Sequence, residues 1–234
     1  MDETATETAG RKRPIRGKSN TQHAVEVLKN LILENRLASG SNHLESELAE
    51  MLGMSRTPIR EATLILEAQG LVEVKPRHGV RVLALSSEDM AEIYDVLTEL
   101  ESLSAELAAR KKHPSGEFHP AEQAIQKMDD ALNAGDLEAW ANADELFHSE
   151  LVRLGGNRRI GNICRMYGDQ VRRARKVTLH LRPKPTKSND AHRDVLQAIR
   201  NGEAEQARKI HRDHRVQAKL MLVSLLEQYG FHTV

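Results

Sequence analysis

This chain of 234 residues is poor in cysteine, in aromatics and in long apolar runs. Its one cysteine, Cys164, excludes an internal disulfide and suits a reducing cytoplasm. It sits in the apolar pattern Ile160, Ile163, Cys164, Tyr167, as a buried structural thiol would. Aromatic residues make up 3% of the chain, with one Trp, so its cores must be aliphatic and the fold mainly helical. No apolar run approaches the length of a membrane span, and the first residues are polar rather than signal-like, which points to a cytoplasmic protein with no membrane partner. Net charge is missing too, with 34 Lys and Arg against 34 Asp and Glu. The balance is uneven along the chain, however. Residues 11–81 hold 12 basic and 8 acidic side chains, residues 86–163 hold 7 and 16, and residues 164–234 hold 15 and 7. A basic module precedes an acidic segment, so the zero total does not exclude nucleic acid.

What is present is organised around residues 45–82. Leu48, Met51 and Leu52 stripe a short helix that Gly53 stops. A second helix opens at Ser-Arg-Thr-Pro. Ser55 or Thr57 can accept a first-turn amide there, and Pro58 costs nothing because its missing N–H would be unpaired anyway. Ile59, Ala62, Ile65 and Leu66 fall on one side of this helix, while Arg56 and Arg60, four apart, share another. Gly70 ends it. Val72 and Val74, then Val80 and Val82, alternate with polar residues around a Pro-Arg-His-Gly turn. This pattern predicts a two-stranded wing with Lys75, Arg77, His78 and Arg81 about its tip. An amphipathic helix over residues 21–34 would complete a three-helix core. Arginines on the helix and on the wing stand where a winged helix-turn-helix meets a major groove. Residues 1–19 read as a disordered basic tail carrying Arg11, Lys12, Arg13, Arg16 and Lys18, either a solvated leader or an arm for phosphates.

The remainder shows helical periods and no strand. A long helix starting at Ser86 or Ser87 runs to about residue 112, with Met90, Ile93, Val96, Leu97, Leu100, Leu103 and Leu107 in its stripe. Further helices span about residues 119–133, 137–155, 158–181, 188–200 and 203–229, which makes an all-α six-helix bundle over 86–234. Asp144 and His148, four apart, share a face. His192 lies ten residues before the turn at Gly202 and His214 twelve after it, so in an antiparallel hairpin the two stand nearly level. Three imidazoles and a carboxylate suit zinc, and also nickel or manganese. Spacing alone leaves ordinary surface histidines as the alternative, and His211 competes for the place of His214.

Two stretches carry a resemblance to a known family. SRTPIREA, then L-x-x-x-GLV and a wing ending in Gly-x-x-V, resembles the winged helix of GntR-type bacterial transcription regulators. The resemblance implies that Arg56, Thr57 and Arg60 meet DNA and that Gly79 lies close to the groove. Ser46 stands where the family often has arginine. Leu44 stands where it has a polar helix cap, which leaves Asn42 as a cap or a frayed helix start. Asp144-Glu-Leu-Phe-His148 with Gly156-Asn157, and His192-Arg-Asp-Val-Leu-Gln-Ala-Ile with His214, resemble the FCD ligand-binding domain of the FadR-like branch. That implies Asp144, His148, His192 and His214 as metal ligands beside a small organic acid. Many members carry arginine four residues before the glutamate that is Glu101 here; this chain has Leu97. Arg172, from the basic run Arg172, Arg173, Arg175 and Lys176, and Ser188 are the substitute effector contacts chosen from the sequence. No residue is assigned a catalytic role. The resulting expectation is a ligand-responsive repressor that binds double-stranded operator DNA as a homodimer. A helical metallohydrolase with a vestigial winged helix, or a regulator sensing the metal itself, are the alternatives.

Overall fold

The computed structural model describes residues 19–229. Residues 1–18, with all five basic side chains of the expected tail, lie outside the described residues.

The first unit is a winged helix. Helix α1 (Asn20–Leu33) opens on a reciprocal cap, in which the Ser19 hydroxyl accepts from the Gln22 amide and Gln22 Oε1 accepts from the Ser19 amide. Helix α2 (Glu45–Leu52) ends at Gly53, φ 63°, a left-handed position that glycine adopts without strain. Helix α3 (Arg56–Ala68) follows two residues later. Strands β2 (Val72–Lys75) and β3 (Gly79–Val82) pair antiparallel, with Val74 opposite Val80. Ala24, Leu28, Leu48, Ile59, Ala62, Leu66, Val72 and Val80 close an aliphatic core, as the shortage of aromatics requires. Each large side chain buried this fully stabilises the unit by about 1.5–3 kcal/mol.

Three details differ from the sequence reading. The wing has a third strand, β1 (Asn42–His43), paired with β3. Asn42 is therefore in the sheet opposite Arg81 rather than capping α2. The Leu44 amide instead donates to the Glu47 carboxylate at 2.9 Å, so an acid inside the first turn does the work of the missing cap. Ile65 does not join the core. It is 40% exposed beside Leu64 at 50%, because the α3 flank that carries both faces the second unit.

That unit is the expected six-helix bundle: α4 (Ser87–Ala109), α5 (His119–Ala134), α6 (Leu137–Gly155), α7 (Arg158–Val177), α8 (Thr186–Asn201) and α9 (Ala204–Gln228). Ser86, Asp136 and Asn157 cap α4, α6 and α7 through side-chain oxygens. α7 stops at Val177 and continues only as a short 3-10 turn at Leu179–Leu181. Helix α4 packs on α6, α7, α8 and α9. Its flanks serve two apolar cores, one with Tyr94, Leu97, Val171 and Leu222, the other with Ala105, Phe147, Leu151 and Val195. Glu101 lies on α4 between them, 5% exposed, whereas Val96 of the expected stripe is 43% exposed.

The two units meet along α7. Asp169 pairs with Lys29 of α1 at 2.5 Å, and Gln170 Nε2 donates to the Gln69 carbonyl at 2.9 Å. Arg173 Nη1 donates to the Leu83 carbonyl at 2.6 Å, just past the wing.

Candidate functional site

Arg56, Thr57 and Arg60 are all exposed at the N-terminal end of α3. Neither arginine takes part in an ion pair among the described residues. Ser55 occupies the cap position, yet its side chain makes no capping hydrogen bond. The wing tip presents Arg77 and His78 to solvent, with Arg77 at φ 66°. Gly79, φ 84°, has a local reason that the sequence reading did not contain. A Cβ there would stand 2.3 Å from the His43 carbonyl oxygen of β1, so the third strand itself requires glycine.

Inside the bundle, His148 from α6, His192 from α8 and His214 from α9 each bring a ring nitrogen to within 4.8 Å of the others. Asp144 joins them through Oδ1, 2.9 Å from His192 Nε2, with Oδ2 3.7 Å from His148 Nε2. Oδ2 is also held by Arg175 Nη1. Phe147 stacks on His192 at 4.1 Å between ring centres and fixes its plane. The hairpin of α8 and α9 thus levels His192 with His214, as the residue count anticipates. His211 faces elsewhere: its Nε2 meets Glu101 Oε2 at 3.1 Å, and the same oxygen lies 3.0 Å from His148 Nδ1 and 3.4 Å from Arg215 Nε.

Electrostatics keep Asp144 and Glu101 charged and favour the neutral forms of His148, His211 and His214. Burial opposes ionisation of Asp144, but Arg175, His148 and His192 outweigh it and hold the carboxyl well below the usual carboxylate range. Burial likewise opposes Glu101, which Arg215, His148 and His211 hold well down. Burial pushes His148 down to about 4 and lowers His211. It drives His214 well below its ordinary value, helped by the neighbouring His192 and His148. Neutral imidazoles beside ionised carboxylates are the state a cation needs. Cys164, half-buried nearby, is pushed up to about 12 by burial and then by Glu101, and is inert as a thiolate.

The family model for FCD domains matches residues 92–217, and that for bacterial regulatory proteins of the gntR family matches residues 20–82. This chain belongs to the GntR family. Over 202 residues it is 32% identical to an uncharacterised HTH-type transcriptional regulator of Streptomyces ambofaciens, covering 85% of this chain and 83% of that one. Over 179 residues it is 30% identical to a Paenarthrobacter nicotinovorans protein named "Probable D-xylose utilization operon transcriptional repressor", covering 75% and 76%. In fold it is similar to McbR/YncC of Escherichia coli, with a TM-score of 0.71 at 22% identity, covering 91% of this chain and all of the other. This GntR-family chain is a DNA-binding transcription regulator whose FCD domain is its ligand-responsive part. No helix among the described residues is long and apolar enough to cross a membrane.

In this regulator a cavity of about 1390 Å³ runs from Leu64 and Ile65 of α3 down to His148, Arg175 and Arg215. Arg172 reaches only its rim, where it is exposed and paired with Glu145 at 3.4 Å. Ser188 is half-buried and does not line the cavity, and its neighbour Asn189 points inward to Trp140 and Asp129 instead. The buried stripe of α7 holds Val171 and Ala174, so Arg175, next to it, turns into the bundle while Arg172 turns out. Glu101, Tyr94 and Arg215 make contacts in this cluster that the sequence pattern does not mark. Tyr94 and Arg215 sit in stretches that read as plain helix, and no spacing rule singles them out.

Proposed function

We propose that this chain is a cytoplasmic, effector-controlled repressor that binds a two-fold operator as a homodimer and has no catalytic activity of its own. Arg56, Thr57 and Arg60 enter the major groove, and the wing tip, with Arg77, His78 and Gly79, lies along the adjoining backbone. Asp144, His148, His192 and His214 hold a divalent metal, zinc first and nickel or manganese next, with a small organic acid beside it. When bound, the metal supplies positive charge that ties three helices and the acid together. The convergence of the three imidazoles, with His148 and His192 buried and His214 half-buried, supports this assignment.

The observation that carries the reading is the double engagement of α7. Arg175 ties it to Asp144 in the imidazole cluster, while Asp169, Gln170 and Arg173 tie it to the winged helix. An acid that binds one setting of α7 more tightly than another shifts the placement of the winged helices, and half-sites are read only at the spacing that fits the groove. Enzymatic use of the site is disfavoured by its acids. Asp144 and Glu101 are both bound to arginines and held below the range of an effective general base at neutral pH.

Native mass spectrometry of the purified chain tests this directly. The expected species is a dimer with one metal ion per chain. A metal-free monomer would contradict both the operator symmetry and the ligand set.

A further inference from the structure

Resting on the effector reading above, we propose that the acid is a small dicarboxylate, with one carboxylate received by Arg175 and the other by Arg215. Both arginines line the inner end of the cavity, where Leu97, Val171 and Leu179 supply apolar wall. Arg215 is 2% exposed, yet its Nε and Nη2 have no hydrogen-bond partner among the described residues. Its counter-charge, Glu101 Oε2, stands 3.4 Å away and is already shared with His211 and His148. A buried guanidinium left with open donors is costly, and an anion entering the cavity would satisfy them.

The two arginines are separate anchors set about one ring. Arg215 Cζ lies 4.5 Å over the face of Tyr94, whereas Arg175 Nε meets the Tyr94 hydroxyl at 3.2 Å. In the site as it stands, a carboxylate of the chain, Asp144, rests on Arg175, which demonstrates the chemistry that this guanidinium accepts.

Charge decides between one carboxylate and two. Arg175, Arg182 and Arg215 act together on Tyr94, and the buried acids facing them are Asp144 and Glu101. Positive charge is therefore in excess by one before any metal arrives, and a divalent ion raises the excess to three. A monoacid leaves most of it uncompensated around side chains that are themselves largely buried, where unneutralised charge is expensive. A diacid removes two of the three charges and leaves the hydrocarbon between its ends for the apolar wall. Tyr94 registers the same excess: burial opposes its ionisation, yet Arg175, Arg215 and Arg182 hold the phenol below its ordinary value.

The test is calorimetric titration of the full chain, with added zinc, against chain-matched pairs: butanoate with butanedioate, and pentanoate with pentanedioate. A diacid is expected to bind at least about tenfold tighter than its monoacid. Arg215→Gln is expected to bring the ratio of diacid to monoacid affinity down toward one, whatever the absolute affinities. Equal binding of mono- and diacids by the parent overturns the proposal without recourse to any variant. A loss in Arg215→Gln that falls equally on both overturns it as well. If no acid of either kind binds, the effector reading fails first and takes this inference with it, an outcome distinct from monoacid binding without preference.

Discussion

The winged helix and the bundle solve opposite problems. Arg56 and Arg60 are exposed, and neither is ion-paired to anything within the described chain. In the bundle, Asp144, Glu101, His192 and Arg215 are each at most 5% exposed; Asp144 pairs with His192, and Glu101 with Arg215. The difference teaches where each site's energy comes from. The proposed DNA face leaves its cations free for an outside polyanion, while the bundle supplies most of its own counter-charges and is tuned by what enters.

The contrast gives a graded set of expectations. The largest effect belongs to His192→Ala, which removes a donor and the ring stacked on Phe147. Metal content and thermal stability are expected to fall together, with operator contacts intact at temperatures where the variant is folded. Elemental analysis and calorimetric melting read both, and equal metal in variant and parent would place the ligand set elsewhere. Next is Glu101→Gln. The carboxylate accepts from His211 and faces His148 Nδ1, so it orients His148 with its Nε2 toward Asp144. Such an outer partner is worth about 10–100-fold in metal affinity. A competition titration showing unchanged affinity would reduce Glu101 to packing.

On the exposed side, Arg60→Ala is expected to cost about 1–3 kcal/mol of operator affinity and to relax one base position, without altering metal content. Selection of binding sites from a randomised DNA pool measures this, and unchanged specificity would move α3 out of the groove. A further expectation, of comparable size, is one of pH. His148 titrates near 4 folded against 6.5 unfolded. Between those values the unfolded chain holds the extra proton, so stability of the metal-free protein falls as pH drops from about 6.5 toward 4. The slope approaches about 1.4 kcal/mol per pH unit for one such group. His211 and His214, both lowered, act in the same direction. Urea melts at pH 7 and pH 5 check this, and a flat profile would mean that these imidazoles are not neutral when folded.

The two regions also differ in how far they could be read from sequence. α3 and the wing are local: the capping stretch, the arginine spacing and the alternating valines all lie within forty residues, and the structure adds chiefly strand β1. Two residues are too few for period-two alternation to register. The levelling of His192 with His214 was legible because a hairpin turns at Gly202, φ 75°, and the rise of a helix does the rest. Arg175 was not separable from Arg172, since nothing local says which flank of α7 faces inward until α4 and α6 are packed against it. Glu101 was hidden more deeply. An acid in a leucine stripe reads as surface, and only Arg215 and His211, more than a hundred residues on, make its burial affordable.

The account turns on linkage between the buried site and the exposed one through α7. Fluorescence anisotropy with the DNA immediately upstream of this chain's own gene, titrated with and without saturating diacid, measures that linkage most directly. The account expects operator affinity to change by at least about fivefold, and acid affinity to change by the same factor when DNA is bound. Arg173→Ala is expected to shrink both factors together. Acid that binds while leaving DNA affinity untouched would contradict it.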